Sequence, residues 1–379
     1  MRPLAVLGAT GSIGRQALEV AADIGAEVVA LAARRGSDEF LAVAAAHPGA
    51  RVAIAAPSGD ERQRAAELGS RVAFGADAVA VLAGEPGITV VNGIVGVAGL
   101  PASAAALAAG NRLALANKES LVAGGPVISA MVGIGGSEIV PVDSEHSAVF
   151  QLLAGRDPTE VRRLVLTASG GPFRGMTADQ VAAATPAAAL RHPTWSMGPR
   201  ITIDSATLMN KALEVIEAHH LFGYAYDAID VVVHPQSIVH AIVEFIDGAM
   251  LAHFGEPDMR IPLRFALTHP ERVLRRAAPF PLAGTTLTFE APDFEVFPAL
   301  RLGYEAGRAG GSAPAVLNAA DEIAVGAFLA GRIGFASIAV VVERTLHDVT
   351  VRELSSVEDV LAVDAEGRTV ATGHLGNSC

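Results

Sequence analysis

The order of the apolar runs between residues 1 and 142 constrains this chain more than any other feature. Short runs rich in β-branched and other apolar residues at 4–7, 27–32, 52–54, 88–91, 112–114 and 138–142 alternate with longer Ala-rich stretches of helical character. Strands and helices in that alternation predict a parallel sheet covered by helices on both faces. Gly8-Ala9-Thr10-Gly11-Ser12-Ile13-Gly14 follows the first run directly and opens the first helical stretch. Glycines there permit a tight turn and close backbone approach, and the amides of a helix start suit a pyrophosphate. The spacing is GxxGxxG rather than GxGxxG, and a glycine trio can also be no more than a strand–helix turn. The second run leads into Arg34-Arg35-Gly36, where an NAD site would carry Asp or Glu. Guanidinium groups suit a 2′-phosphate, so NADPH is the expected cofactor, with two solvated loop arginines as the plainer alternative.

From 143 to about 267 the pattern turns α+β. A helical stretch at 147–153 leads to a strand at 163–167, the turn Ser169-Gly170-Gly171-Pro172 and a loop with Trp195. One long helix from about 205 to 219 and strands at 229–233 and 241–245 follow. Pro270, Pro279, Pro281 and Pro292 mark 268–298 as a linker between domains. From 299 to 379, helical spacing over 313–330, 338–346 and 357–371 predicts a small helical bundle. The chain's 379 residues suffice for several such domains.

Composition narrows the partners. With 28 Lys and Arg against 40 Asp and Glu, the net charge of −12 argues against nucleic acid or an anionic membrane. A small anionic substrate, which needs only a local set of donors, stays open. The only cysteine is Cys379, which excludes an intrachain disulfide and a multi-cysteine metal site and makes a poor nucleophile. A strand by Leu4 and no leader-like segment fit a reducing, cytoplasmic setting. The charge-free stretch 87–111 reads as a strand, a loop and a small-residue helix rather than a membrane span.

Several polar groups carry chemistry. Asp143-Ser144-Glu145-His146 ends the run at 139–142; read as extended, it turns Asp143 and Glu145 to one side. Paired carboxylates suit a hard cation, Mg²⁺ or Mn²⁺, although a solvated loop has the same look. Asn210, Lys211 and Glu214 share one face of the long helix, which suits a third carboxylate ligand or an ordinary surface ion pair. Ser205 falls near that helix's start, where anions bind. Ser169 adds a hydroxyl on a small-residue turn, and Lys118 closes a βα unit at the ligand-binding edge of the sheet. The segment from His192 to Gly198, with Trp195 inside it, suits a closing lid, or else a core tryptophan.

Eight segments in order, GATGSIG, LANKES, PVDSEHS, ASGGPFR, RHPTWSMG, DSATLMNKALE, HPQS and GEPDMR, resemble the 1-deoxy-D-xylulose 5-phosphate reductoisomerase family, and 317–322 also fits. The resemblance implies a Rossmann-type NADPH domain (1–142), an α+β catalytic domain with a flap (143–267), a linker (268–298) and a C-terminal helical domain (299–379). It implies rearrangement and reduction of 1-deoxyxylulose 5-phosphate to 2-C-methylerythritol 4-phosphate in the non-mevalonate isoprenoid route, and a homodimer. The implied metal ligands are Asp143, Glu145 and Glu214. Lys118, Ser144, Glu145, Ser169, His192, Trp195, Met197, Ser205, Asn210, Lys211 and Glu214 would meet the substrate, with Ser169, Ser205, Asn210 and Lys211 around its phosphate. Lys118, Glu145 and His146 are the catalytic candidates. Thr10, Gly11, Ser12, Ile13, Asn117, Glu119 and Gly198 would hold NADPH alongside Arg34, Arg35 and Gly36. Many relatives carry Gly-Lys/Arg-Asn at those last three positions.

Two other readings stay open. One is a related NADPH-dependent oxidoreductase acting on a different phosphorylated compound; the other is a nucleotide-binding sensor that turns nothing over.

Overall fold

The computed structural model describes residues 1–195 and 197–376. Ser196 of the lid segment and Cys379 lie outside them. The chain forms two compact units, each assembled from separated segments.

The first unit comprises Met1–Ser120, Ile128–Ser147 and Asp258–Ala277. Its sheet has seven strands: β1 Leu4–Leu7, β2 Val28–Ala33, β3 Arg51–Ile54, β4 Val72–Phe74, β5 Thr89–Asn92, β6 Arg112–Leu115 and β7 Glu138–Pro141. The order is β4-β3-β2-β1-β5-β6-β7 and every pairing is parallel. Leu4, Ala5, Val6 and Leu7 of β1 are all fully buried, as a central strand covered on both faces requires. The order reverses between β1 and β5, and beyond the carboxyl ends of such a pair an open α/β sheet binds its ligands.

The glycine motif sits at that point. Gly8 has φ +78°, and a Cβ on it would lie 2.7 Å from the carbonyl oxygen of Gly93, just past β5. A Cβ on Gly14 would lie 2.2 Å from the Gly8 oxygen, so the helix Ser12–Ile24 can seat on the turn only through a glycine. The stretch 87–111 folds as anticipated, into β5, a short 3₁₀ turn and the helix Leu100–Ala108. Among the described residues no helix is long and apolar enough to cross a membrane.

The helix Arg260–Thr268 belongs to this unit, packed on the helix Ser12–Ile24, with Arg264 paired to Asp23 and Arg260 to Glu19. The expected segments 143–267 and 268–298 therefore do not follow the compact units. Residues 258–277 return to cover the first sheet, and the chain leaves it at Ala277. A return over so long a sequence distance leaves no mark on local pattern.

The second unit comprises Leu121–Val127, Ala148–Pro257 and Ala278–Cys379. Its sheet runs β11-β10-β8-β9, with β8 Val161–Ala168, β9 Ile229–Val233, β10 Val239–Phe245 and β11 Met250–Phe254. β8 and β9 are parallel, whereas β10 is antiparallel to both its neighbours. The helix Met209–Phe222 packs on β8 and β9 and, on another side, against Ala299–Ala309. There a Cβ on Gly303 would stand 2.4 Å from that of Ala212, so glycine sets the helix spacing. Helices Ala313–Leu329, Ser337–Asp348 and Val357–Leu375 complete the anticipated bundle and share one core with the sheet, including Leu166, Leu213, Ile216, Leu300 and Phe328.

Candidate active site

Two sequence readings need correction before the site can be assembled. Ser144–Leu153 is a helix from its first residue, so strand alternation is not what pairs Asp143 with Glu145. Asp143 instead heads the helix: its carbonyl accepts from the Ser147 amide at 2.8 Å, and its Oδ1 lies 3.4 Å from the Glu145 amide. A polar Asp-Ser-Glu after an apolar run carries helix-start chemistry as well as strand-end chemistry, and here the former wins. Likewise 205–219 is not one helix. Pro199–Thr207 ends at Leu208, whose φ of +62° is left-handed, and Met209–Phe222 begins afresh. Ser205 therefore lies in the last turn of the first helix, and it is Asn210 and Lys211 that stand in an opening turn.

In the first unit, Lys118 is buried and its Nζ donates to Asp143 Oδ2 at 3.0 Å. His146, fully buried, brings Nδ1 within 3.7 Å of Asp143 Oδ1, and the Ser144 hydroxyl donates to Glu145. Asn117 and Glu119 are buried and hold the loop after β5. Asn117 Nδ2 donates to the carbonyls of Ile94 (2.8 Å) and Gly96 (2.9 Å), and Glu119 accepts from the Gly96 amide at 2.9 Å. No side chain caps the helix Ser12–Ile24, whose cap residue is Gly11; Thr10, Ser12 and Ile13 flank that start. Beyond β2 the arginines differ. Both are exposed, but Arg35 Nε bonds both oxygens of Glu61, at 2.9 and 3.1 Å. Gly36 is buried, and a Cβ on it would press on Glu61 and Ile54.

In the second unit, three side chains from three places converge. Ser169 follows β8, His192 opens the lid segment and Ser205 lies in Pro199–Thr207. His192 Nε2 stands 2.9 Å from Ser169 Oγ and 3.1 Å from Ser205 Oγ. The amides of Thr194 and Trp195 both donate to His192 Nδ1, at 3.1 and 2.9 Å. Nδ1 is thereby an acceptor, so the proton resides on Nε2 and faces the hydroxyls. Burial also holds the His192 pKa below its usual value, which keeps the ring neutral. Lys211 and Asn210 both donate to the carboxylate of Glu214, which is 1% exposed, with Lys211 itself 3% exposed. This is not the surface ion pair that helices most often carry. Trp195 and Met197 are half-buried, with the indole 6.4 Å from the ring of His240, and Gly198 caps Pro199–Thr207. His240, buried beside Trp195, was not singled out from sequence; a histidine on an apolar strand gives no local signal. A cavity of about 400 Å³ opens beside Ser169, lined also by Arg174, Met176, Arg191 and Pro235.

The first unit offers a nucleotide-type glycine turn and the second a set of anion-binding donors, each with buried carboxylates. Comparison with known proteins meets them there. Residues 4–125 match the family profile "1-deoxy-D-xylulose 5-phosphate reductoisomerase", and 139–222 and 254–370 match two profiles of its C-terminal domains. The chain is 50% identical to the reductoisomerase of Xanthomonas axonopodis pv. citri, covering 99% of this chain and 97% of that one. It belongs to the 1-deoxy-D-xylulose 5-phosphate reductoisomerase family. Within that family the relative from Desulforamulus reducens is 46% identical over the full length of both chains. The solved reductoisomerase of Zymomonas mobilis, in complex with NADPH, superposes with a TM-score of 0.91 at 43% identity and 99% coverage of both chains. A DOX-P reductoisomerase in complex with NADPH, fosmidomycin and magnesium gives 0.92 at 38% identity, covering 99% of this chain and 98% of that one.

Proposed function

We propose that this protein converts 1-deoxy-D-xylulose 5-phosphate to 2-C-methyl-D-erythritol 4-phosphate, the reductoisomerase step of the non-mevalonate isoprenoid route, with NADPH and one divalent cation, Mg²⁺ or Mn²⁺. Family membership along nearly the whole chain supports the reading. The observation that carries it is Glu214, a carboxylate 1% exposed and held by Lys211 and Asn210 on one helix face. Burying such a group costs free energy that packing does not return, which favours a ligand that uses the charge.

Asp143, Glu145 and Glu214 offer the hard oxygen donors such a cation takes. NADPH fits the turn where Gly8 leaves no room for a Cβ, with Thr10, Gly11, Ser12 and Ile13 at the pyrophosphate. Arg34 is the freer partner for the 2′-phosphate, because Arg35 is engaged with Glu61 and Gly36 keeps that turn close. Asn117 and Glu119 shape the loop beside the cofactor, and Gly198 closes the lid's far end. When bound, the cation polarises the substrate carbonyl and NADPH supplies the hydride.

The chain's own groups do the rest. Ser169, His192, Ser205, Asn210 and Lys211 hold the phosphate and so fix the reacting carbons in place. The buried Lys118 ammonium stabilises negative charge as it develops on oxygen. Ser144 contacts the substrate, Glu145 is the candidate for proton transfer and His146 orients Asp143. Trp195 and Met197 cover the site and exclude water.

A homodimer belongs to the same reading. β11 is a sheet edge on which Met250 and Phe254 are 55% and 47% exposed, a surface that invites a second copy. A cytoplasmic setting suits a chain with one cysteine.

The test is NADPH oxidation by purified protein given 1-deoxyxylulose 5-phosphate, with Mg²⁺, with Mn²⁺ and with chelator. Turnover that appears only with metal is expected. Absence of turnover under all three conditions would end this reading in favour of a nucleotide sensor.

A further inference from the structure

A buried charged cluster in the second unit lies outside everything assigned above. Arg200, in the first turn of Pro199–Thr207, donates from Nη1 to Glu322 Oε1 at 2.6 Å and from Nη2 to Asn318 Oδ1 at 2.8 Å. Two carboxylates flank the same guanidinium. Asp204 Oδ2 is 3.6 Å from Nε, and Asp321 Oδ2 is 3.6 Å from Nη2. Asp204 is 3% exposed and Asp321 not at all. Arg368, on Val357–Leu375, bonds Glu322 and reaches Asp364 Oδ2 at 2.6 Å. Two guanidinium groups thus meet four carboxylates, with Asp204 and Asp321 at the buried end and Arg368 partly exposed.

Fully ionised, that cluster would bury an uncompensated negative charge, which is costly enough that one acid takes up a proton instead. The cost falls hardest on Asp321: burial first, then the charge of Asp204, hold its carboxyl well above the usual range, against the pull of Arg200. Other charged groups on the elements packed on Ala313–Leu329 have partners of their own. Arg301 is engaged with Glu305 and Glu343, Arg308 with Asp227, and His347 and His374 with Asp348.

We propose that Asp204 and Asp321 share one proton in the folded protein, and that this acid pair, clamped by Arg200, positions the helix Pro199–Thr207 and with it Ser205. The proton is taken from solvent on folding and returned at high pH. Two like charges then face each other across the two helices, and the helix bearing Ser205 loses its register. Arg200, Asp204 and Asp321 are positioning residues, because they act on the phosphate donors through the helix that carries Ser205. Only the kinetic consequence rests on the reaction proposed above.

Asp321→Asn tests this, since an amide has the shape and neutrality of the protonated acid. A protonated-carboxyl C=O stretch should be present in the wild-type infrared spectrum at pH 7 and lost in the variant. An acid with a raised folded pKa favours the fold at low pH and loses that contribution as pH rises. The melting temperature of Asp321→Asn relative to wild type should therefore climb between pH 5 and 9, by at least about 2 °C. With the sugar phosphate, the wild-type KM should rise with pH over that range, and the rise should be absent in the variant. Arg200→Lys, which keeps charge but loses the planar fork, should raise that KM about tenfold and leave the KM for NADPH unmoved. An unchanged infrared band, or a melting difference flat in pH, overturns the shared proton. Equal rises in both KM values overturn the positioning role. If wild type shows the band and the melting trend yet turns over no 1-deoxyxylulose 5-phosphate, the reaction is wrong and the proton pair stands.

Discussion

His192 accepts two backbone amides on one ring nitrogen and turns the other, protonated nitrogen to Ser169 and Ser205. A single residue thereby fixes the lid's first turn and two hydroxyls together. Glu214 is the residue whose replacement says most. Glu214→Gln keeps shape and both donors' proximity but removes the charge. NADPH affinity, measured by fluorescence titration, should change less than about twofold, while kcat falls on the order of 10³-fold, a loss typical of removing one catalytic charge. Equal loss of both would mean that Glu214 serves the fold. The residues at this scale were largely legible: Lys118, Ser169, His192 and Lys211 stand out as polar groups in apolar or glycine-rich company. Arg200 and His240 did not, because their partners, Glu322 and Trp195 among them, lie far away in sequence or on another element.

At the scale of elements, most strands of the first sheet were readable almost to the residue, since burial on both faces leaves a largely apolar run. β4 and β11 escaped notice. Each is a sheet edge with no fully buried residue, and so carries no such run. The break at Leu208 also escaped, since Leu in a left-handed conformation has no sequence signature; it is tertiary packing that holds a buried Leu there. The helix Met209–Phe222 bears its own pH dependence near its end. Burial, and then His219, push the His220 pKa down to about 4. The ring packs so closely on Gly125 that a Cβ there would stand 2.2 Å from it. An unfolded histidine takes its proton near pH 6.5, so stability is intact above that value and is lost as pH falls toward 4. The loss from this one group is on the order of 3 kcal/mol. Urea unfolding at pH 7 and pH 4.5 should show it, and His220→Gln should flatten the difference.

At the scale of the molecule, fold class and the family were both in the sequence, because eight motifs in fixed order leave little freedom. The composition of the units was not. A compact unit that recruits 258–277 depends on contacts between segments far apart, which no local window contains. That recruitment has a consequence for how the protein is made. The ribosome releases β1 to β7 first, but the helix that covers Ser12–Ile24 emerges well over a hundred residues after β7. The nascent sheet is therefore expected to lack that cover until most of the second unit has been translated. A fragment ending at residue 142 should accordingly aggregate or bind a hydrophobic dye, whereas the same fragment joined through a flexible linker to 258–277 should stay soluble and bind NADPH. Solubility and dye binding of the two fragments, measured side by side, decide it. Folding here is a matter of timing as well as of pattern.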